Sequence, residues 1–392
     1  MARIALMHVG LKGHLGPASR LGARLVRRGH EVHAWAPEAA RAAVAPLSTV
    51  FHPHEPVPVS RIAGGATGFA AALTLATAEH AEALIEELLR LDVELVIHDV
   101  QALWGRVAAD FLGLPRAVSY PLFPPAALTS LQLAAPRRQL VASHPPGWQE
   151  SMASFEAARA EIVRRWGVHV GEWPEAMDSS GPLTISYSVP ELVGDAALPR
   201  GWRLVGPLLD SAPPPGPPRP RPYVYVSLGT FFNFALDVYR TVIAALAGAP
   251  VDALITTGGG SVSPADLGPL PANIDAVEFA PARDVLARSD MAITHCGINS
   301  VHEALVAGVP MVCLPQAHDQ FAWAARVAQL GAGRIPADET PESLREAVLE
   351  LLEAPEPRLR AAEMGRLIED YDGESVAAEV IDEALGGTLT PA

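Results

Sequence analysis

Lysine is all but missing from this chain: of its 29 lysines and arginines, Lys12 alone is a lysine. That scarcity excludes whole classes of chemistry. A Walker A loop needs Gly-Lys followed by Ser or Thr, whereas Lys12 is followed by Gly13-His14, so no P-loop is present. A pyridoxal phosphate enzyme would have to hang its Schiff base on that one loop residue, which argues against a pyridoxal phosphate-dependent phosphorylase. Cysteine is equally scarce. Cys296 and Cys313 are the only two, one in a loop and one in a buried strand, so no disulfide framework is indicated and a reducing compartment is expected. Positive charge is in deficit too, with a formal net charge of −15, which argues against nucleic acid or an anionic membrane surface as a partner. No apolar run approaches bilayer-spanning length, and the chain enters its first strand without a basic and apolar leader. A cytoplasmic protein with no membrane anchor is expected.

What is present is a chain of 392 residues, 49% hydrophobic, long enough to bury two cores. The first half alternates strand and helix: strands over residues 3–9, 31–35, 93–98 and 116–120, helices over 17–28, 69–91 and on to Leu112. A further amphipathic helix is expected over 149–166. Residues 207–222 are so rich in proline that they cannot be regular structure, and they read as an interdomain linker rather than a signalling PxxP ligand. The second half, 223–373, repeats the alternation, with strands over 223–228, 251–256, 274–279, 291–294 and 311–314. The fold class is therefore α/β, with parallel sheets in domains 1–206 and 223–373, and residues 374–392 form a last helical segment.

The segment from Thr294 to Gln320 is the most informative. A strand over 291–294 runs into the loop His295-Cys296-Gly297-Ile298-Asn299, a helix from about Ser300, a strand ending at Pro315 and a helix from about Asp319. A right-handed crossover makes the two strands parallel, so both loops open on the same carboxyl edge, where ligands bind in such folds. The first loop presents free backbone N–H groups and the positive end of a helix dipole, a natural seat for phosphate. Gly297 admits close approach, and His295, Asn299 and Ser300 add short polar groups. Ser300 with Glu303 also spells a capping box, the plainer reading of that pair.

After the first strand comes Gly10-Leu11-Lys12-Gly13-His14-Leu15-Gly16-Pro17. Its spacing is not the dinucleotide GxGxxG, and no acidic residue closes the second strand. His14 is placed to point off the carboxyl edge of the sheet, and Asp99 ends the strand over 93–98 on that same edge. A carboxylate beside a histidine orients the ring and makes it a better base toward a hydroxyl. His98, pointing to the opposite face, is expected to be structural. The spelling Asp370-Tyr371-Asp372 lies in a polar segment, and His302-Glu303 lacks the second histidine of a zinc helix, so no metal site is expected.

Taken together, His295-Cys296-Gly297, Asn299-Ser300, Glu303, Gly308-Val309-Pro310-Met311, Pro315 and Asp319-Gln320 resemble the donor-binding signature of family 1 glycosyltransferases. These have the GT-B fold, two Rossmann-like domains facing across a cleft, and include bacterial macrolide and antibiotic glycosyltransferases. The resemblance implies that His295, Asn299 and Ser300 touch the donor diphosphate, Glu303 the ribose, and Asp319 with Gln320 the sugar hydroxyls. Thr230, after the strand over 223–228, would face the phosphates. Where the family carries a base-stacking tryptophan and then a glutamine, this chain has Phe279-Ala280-Pro281-Ala282-Arg283, so the choice between UDP and dTDP stays open. GHLGP and the pair His98-Asp99 resemble the places that carry the family's base and its carboxylate partner, which implies His14 as base and Asp99 as its orienter. The last helix would cross back onto the first domain.

The implied activity is inverting, metal-independent transfer of a sugar from a UDP- or dTDP-sugar to a hydroxyl of a hydrophobic natural product. The nucleotide sugar is a co-substrate, and no cofactor is required. Trp104, Tyr120 and Phe123, with Trp148, are expected to offer apolar surface to the acceptor, although each also suits a core. The alternatives are another GT-B nucleotide-sugar enzyme such as an epimerase, or an inactive nucleotide-sugar-binding protein.

Overall fold

The computed structural model describes residues 1–54, 57, 65–125, 147–194, 198–209, 213–214, 216–217, 219–230, 236–260, 262–316 and 319–387. Its strands read as near-continuous apolar runs because helices cover both faces of each sheet. The first sheet holds β1 (Arg3–Met7), β2 (Glu31–Pro37), β3 (Val50–His54), β4 (Leu95–Asp99), β5 (Arg116–Tyr120), β6 (Thr184–Ser186) and β7 (Trp202–Leu204). Their spatial order is β3-β2-β1-β4-β5-β6-β7, all parallel. The second holds β8 (Tyr223–Ser227), β9 (Asp252–Thr256), β10 (Ile274–Val277), β11 (Met291–Thr294), β12 (Met311–Cys313) and β13 (Gly333–Arg334), ordered β10-β9-β8-β11-β12-β13 and also parallel.

Chain order reverses between β1 and β4 in the first sheet and between β8 and β11 in the second. At such a switch point the loops leave in opposite directions and a crevice opens beyond the carboxyl ends of the strands. Both groups of candidate residues lie at these two places.

Helix α1 (Lys12–Arg27) begins five residues before the expected start near Pro17, so the glycine-rich segment is largely the first turns of a helix. Pro17 lies inside it. Further along come α2 (Gly65–Leu91), α3 (Leu103–Leu112), α4 (Trp148–Trp166) and α5 (Leu236–Leu246). The rest of the second half supplies α6 (Ile298–Val306), α7 (Gln320–Gln329), α8 (Pro341–Glu353), α9 (Glu356–Glu369) and α10 (Gly373–Leu385). Strands β3, β6, β7 and β13 are not evident in the sequence. β3 reads VFHPH, with a proline and two polar residues on an edge, and the other three are two or three residues long.

The described residues of 207–222 carry no helix or strand. Past them, α10 returns to the first sheet's side: Ala377, Ala378, Val380 and Ile381 share a core with Ile4, Leu6, Leu21 and Leu25. Polar contacts seal the seam. Arg24 Nη2 donates to Ser375 Oγ at 2.7 Å, and Asp382 takes both Arg28 at 2.6 Å and His30 at 2.8 Å. Among the described residues, no helix is long and apolar enough to cross a membrane.

Candidate active site

The β1 end of the cleft is built on α1. His14 lies in the first turn, and its Nδ1 is 2.8 Å from Asp99 Oδ2 at the end of β4. The carboxylate can only accept, so Nδ1 carries the proton and Nε2 is left with the lone pair. Asp99 is 1% exposed, and its other oxygen accepts the Gln101 backbone N–H at 2.8 Å. Burial by itself lowers the His14 pKa. The charge and hydrogen bond of Asp99, with a contribution from Asp319, outweigh burial, and the net shift is upward from 6.5. His98 points the other way, as alternation requires: its Nδ1 donates to the Asp99 carbonyl, and burial holds its pKa down at about 4.

Across the cleft, β8 leads through Gly229 to Thr230, and β11 leads into α6. Gly229 has φ +89°, and a Cβ there would stand 2.7 Å from His295 Nε2; a Cβ on Gly297 would stand 2.6 Å from the same atom. The imidazole of His295 fills the space that two missing side chains leave. Its Nδ1 is buried without a hydrogen-bond partner, and burial lowers its pKa to about 4, so the ring is neutral near pH 7. Cys296 is held at φ +63°, a strained conformation for a residue with a side chain and one that concentrates at functional loops.

The capping box expected at Ser300 and Glu303 is not formed. Gly297 occupies the N-cap without a side-chain bond, which makes Ser300 the third residue of the helix rather than its cap. Asn299, Ser300 and Glu303 consequently line one face at three- and four-residue spacing, with the helix N–H groups above them. Phe279, just past the end of β10, is 67% exposed.

Two contacts absent from the sequence reading join the halves at this point. Asn299 Nδ2 donates to the Gly13 carbonyl at 2.8 Å, and Lys12 Nζ lies 3.4 Å from the Gly258 carbonyl. The first has a covalent cause. Inside a helix the Gly13 carbonyl would accept the N–H of residue 17, and Pro17 has none, so the carbonyl is left for Asn299. The signal was a proline five residues past a lysine, read in the sequence as a helix start.

Asp319 and Gln320 sit at the start of α7. Asp319 Oδ2 accepts the Phe123 backbone N–H at 3.2 Å, tying the β5 side of the first half to the start of α7 in the second. Gln320 is buried, and its Oε1 accepts the Gln316 N–H at 2.8 Å, so that oxygen braces the loop. The three residues expected to face an acceptor do not present a surface. Trp104 packs in the core beneath α2, tilted on His54. Tyr120 meets Trp202 edge-on at 4.6 Å and donates its hydroxyl to Asp178. Phe123 is 1% exposed and meets Trp323 of α7 at 4.7 Å. Burying these large rings between layers is worth more than displaying them to water. Trp148 opens α4 and is half-buried. Among the described residues, no group of three or more His, Cys, Asp or Glu is placed to hold a metal ion.

A family model described as "Erythromycin biosynthesis protein CIII-like, C-terminal domain" matches residues 241–385. The chain is 29% identical to the oleandomycin glycosyltransferase of Streptomyces antibioticus over 98% of its own length and 91% of the relative's. Among solved structures, the glycotransferase of kitacinnamycin superposes with a TM-score of 0.75 at 25% identity, and the calicheamicin glycosyltransferase CalG4 with 0.74 at 26%. Each comparison covers 98% of both chains.

Proposed function

We propose that this chain, which belongs to the glycosyltransferases of the GT-B fold, moves a sugar from a UDP- or dTDP-sugar to a hydroxyl of a hydrophobic natural product, with inversion. One observation carries the reading. His14, oriented by Asp99 at 2.8 Å, stands one residue from Gly13, whose carbonyl is bonded to Asn299 at the start of α6. A proton acceptor and a seat for a departing anion thus face the same small space.

The chemistry follows from that placement. His14 Nε2 takes the acceptor's hydroxyl proton as the oxygen forms its bond to the anomeric carbon. On the opposite side the bond from that carbon to the diphosphate oxygen breaks, and the electron pair leaves with the diphosphate. The free N–H groups of α6, with Asn299, Ser300 and Thr230, stabilise the developing charge, so no step calls for a metal ion. In this reading Phe279 covers the base, Glu303 holds the ribose, and Asp319 with Gln320 holds the sugar. Phe123, Tyr120 and Trp104 back the acceptor side from behind rather than line it.

His14→Ala is the deciding variant. Transfer is expected to fall by about two to four orders of magnitude, while UDP or dTDP binding, followed by calorimetry, stays within about threefold, because the donor seat is on the other half. An unchanged transfer rate would remove His14 as the base. An epimerase or an inactive binding protein would instead show no acceptor-dependent product in the wild type.

A further inference from the structure

We infer that Lys12, lent by the first half of the chain, is a ligand for the donor's diphosphate. The inference rests on the donor seat proposed above and adds to it a group from across the cleft. Lys12 opens α1 and is exposed, yet its ammonium reaches the opposite half, 3.4 Å from the Gly258 carbonyl. It also lies 5.9 Å from the centre of the exposed Phe279 ring. Gly258 in turn packs on the turn that carries the hydroxyl: a Cβ on it would stand 3.1 Å from Thr230 Cγ2. The ammonium therefore sits between the ring assigned to the base and the turn assigned to the phosphates, where a ribosyl diphosphate passes.

Three properties of the place suit that role. A carbonyl contact of 3.4 Å is long for a hydrogen bond, and phosphate oxygens offer the same ammonium shorter, charge-assisted ones. Gly259, at φ +71°, puts no side chain beside the ammonium, whose Nζ lies 3.8 Å from where its Cβ would stand. Finally, a chain of net charge −15 repels an anionic donor at long range, and a cation in the cleft offsets this locally.

The scarcity of lysine makes the test direct. Lys12→Met is expected to weaken UDP and dTDP binding roughly tenfold while uridine and thymidine binding is unchanged, and Lys12→Arg is expected to recover most of the loss. Because the α-amino group is the only other amine, acylation by a succinimidyl ester can be located by peptide mass, and dTDP but not thymidine should slow it at Lys12. Equal fold-losses for diphosphates and nucleosides in Lys12→Met, or no protection by dTDP, would overturn the assignment and leave the donor seat standing. A wild-type chain that binds neither diphosphate would remove the seat and Lys12 together.

Discussion

At the residue scale, the role proposed for the His14–Asp99 pair makes activity and stability respond to pH in opposite directions. As the proposed base, His14 must be neutral to work, and its pKa is raised from 6.5 because the Asp99 carboxylate outweighs burial. Transfer therefore rises with pH through that elevated value. The pair's contribution to folding is fully present below 6.5 and is lost as pH climbs through the folded pKa, since the imidazolium is the form the carboxylate holds. Asp99→Asn removes the charge and keeps the shape. The acid limb of the kcat/KM profile should move to lower pH, and the plateau should drop at least about tenfold as ring orientation and imidazolium stabilisation are lost. A limb that stays in place would mean that another group controls it.

At the scale of elements, α1 owes its role to an interruption. Pro17 withholds one helical hydrogen bond, and the freed Gly13 carbonyl is what Asn299 grips. In Pro17→Ala the new N–H competes for that oxygen. Asn299→Ala is expected to cost about 1 kcal/mol of stability in the wild type, less in the Pro17→Ala background, a coupling of roughly 0.5–1 kcal/mol in a double-mutant cycle. Strictly additive melting shifts would show that the two residues are independent. The same element marks where sequence reading stops. Strands of the central sheets were legible because apolar runs such as MAIT and ALIT state their burial outright. The position of Gly297 as cap, which displaced Ser300 from that role, depends on backbone angles no residue pattern spells. Trp104, Tyr120 and Phe123 were misplaced for a related reason: a large ring at a strand end serves a pocket or a core equally well, and only packing against Trp323 or Trp202 decides.

At the scale of the whole molecule, several histidines are sealed in their neutral form. His8 and His98 are held near pKa 4 and His302 near 3, in each case chiefly by burial. His302 joins the halves through Ser188 Oγ, 3.2 Å from its Nε2. Unfolding exposes these rings to protons they cannot take when folded, so the unfolded state binds more protons between about pH 4 and 6.5. Stability then falls as pH is lowered through this window, by up to about 1.4 kcal/mol per unit for each ring. Below pH 6.5, where the His14–Asp99 contribution is constant, calorimetric melting temperatures should drop steeply toward pH 5; a level curve down to pH 5 would contradict the sealing. The strap formed by α10 carries a different consequence. Although it follows the second sheet in the chain, its apolar face completes the core around Ile4 and Leu25. Hybrids that pair one relative's first half with another's second half therefore need two crossovers, one in 207–222 and one just before Gly373, or the graft brings a foreign helix into its host's core.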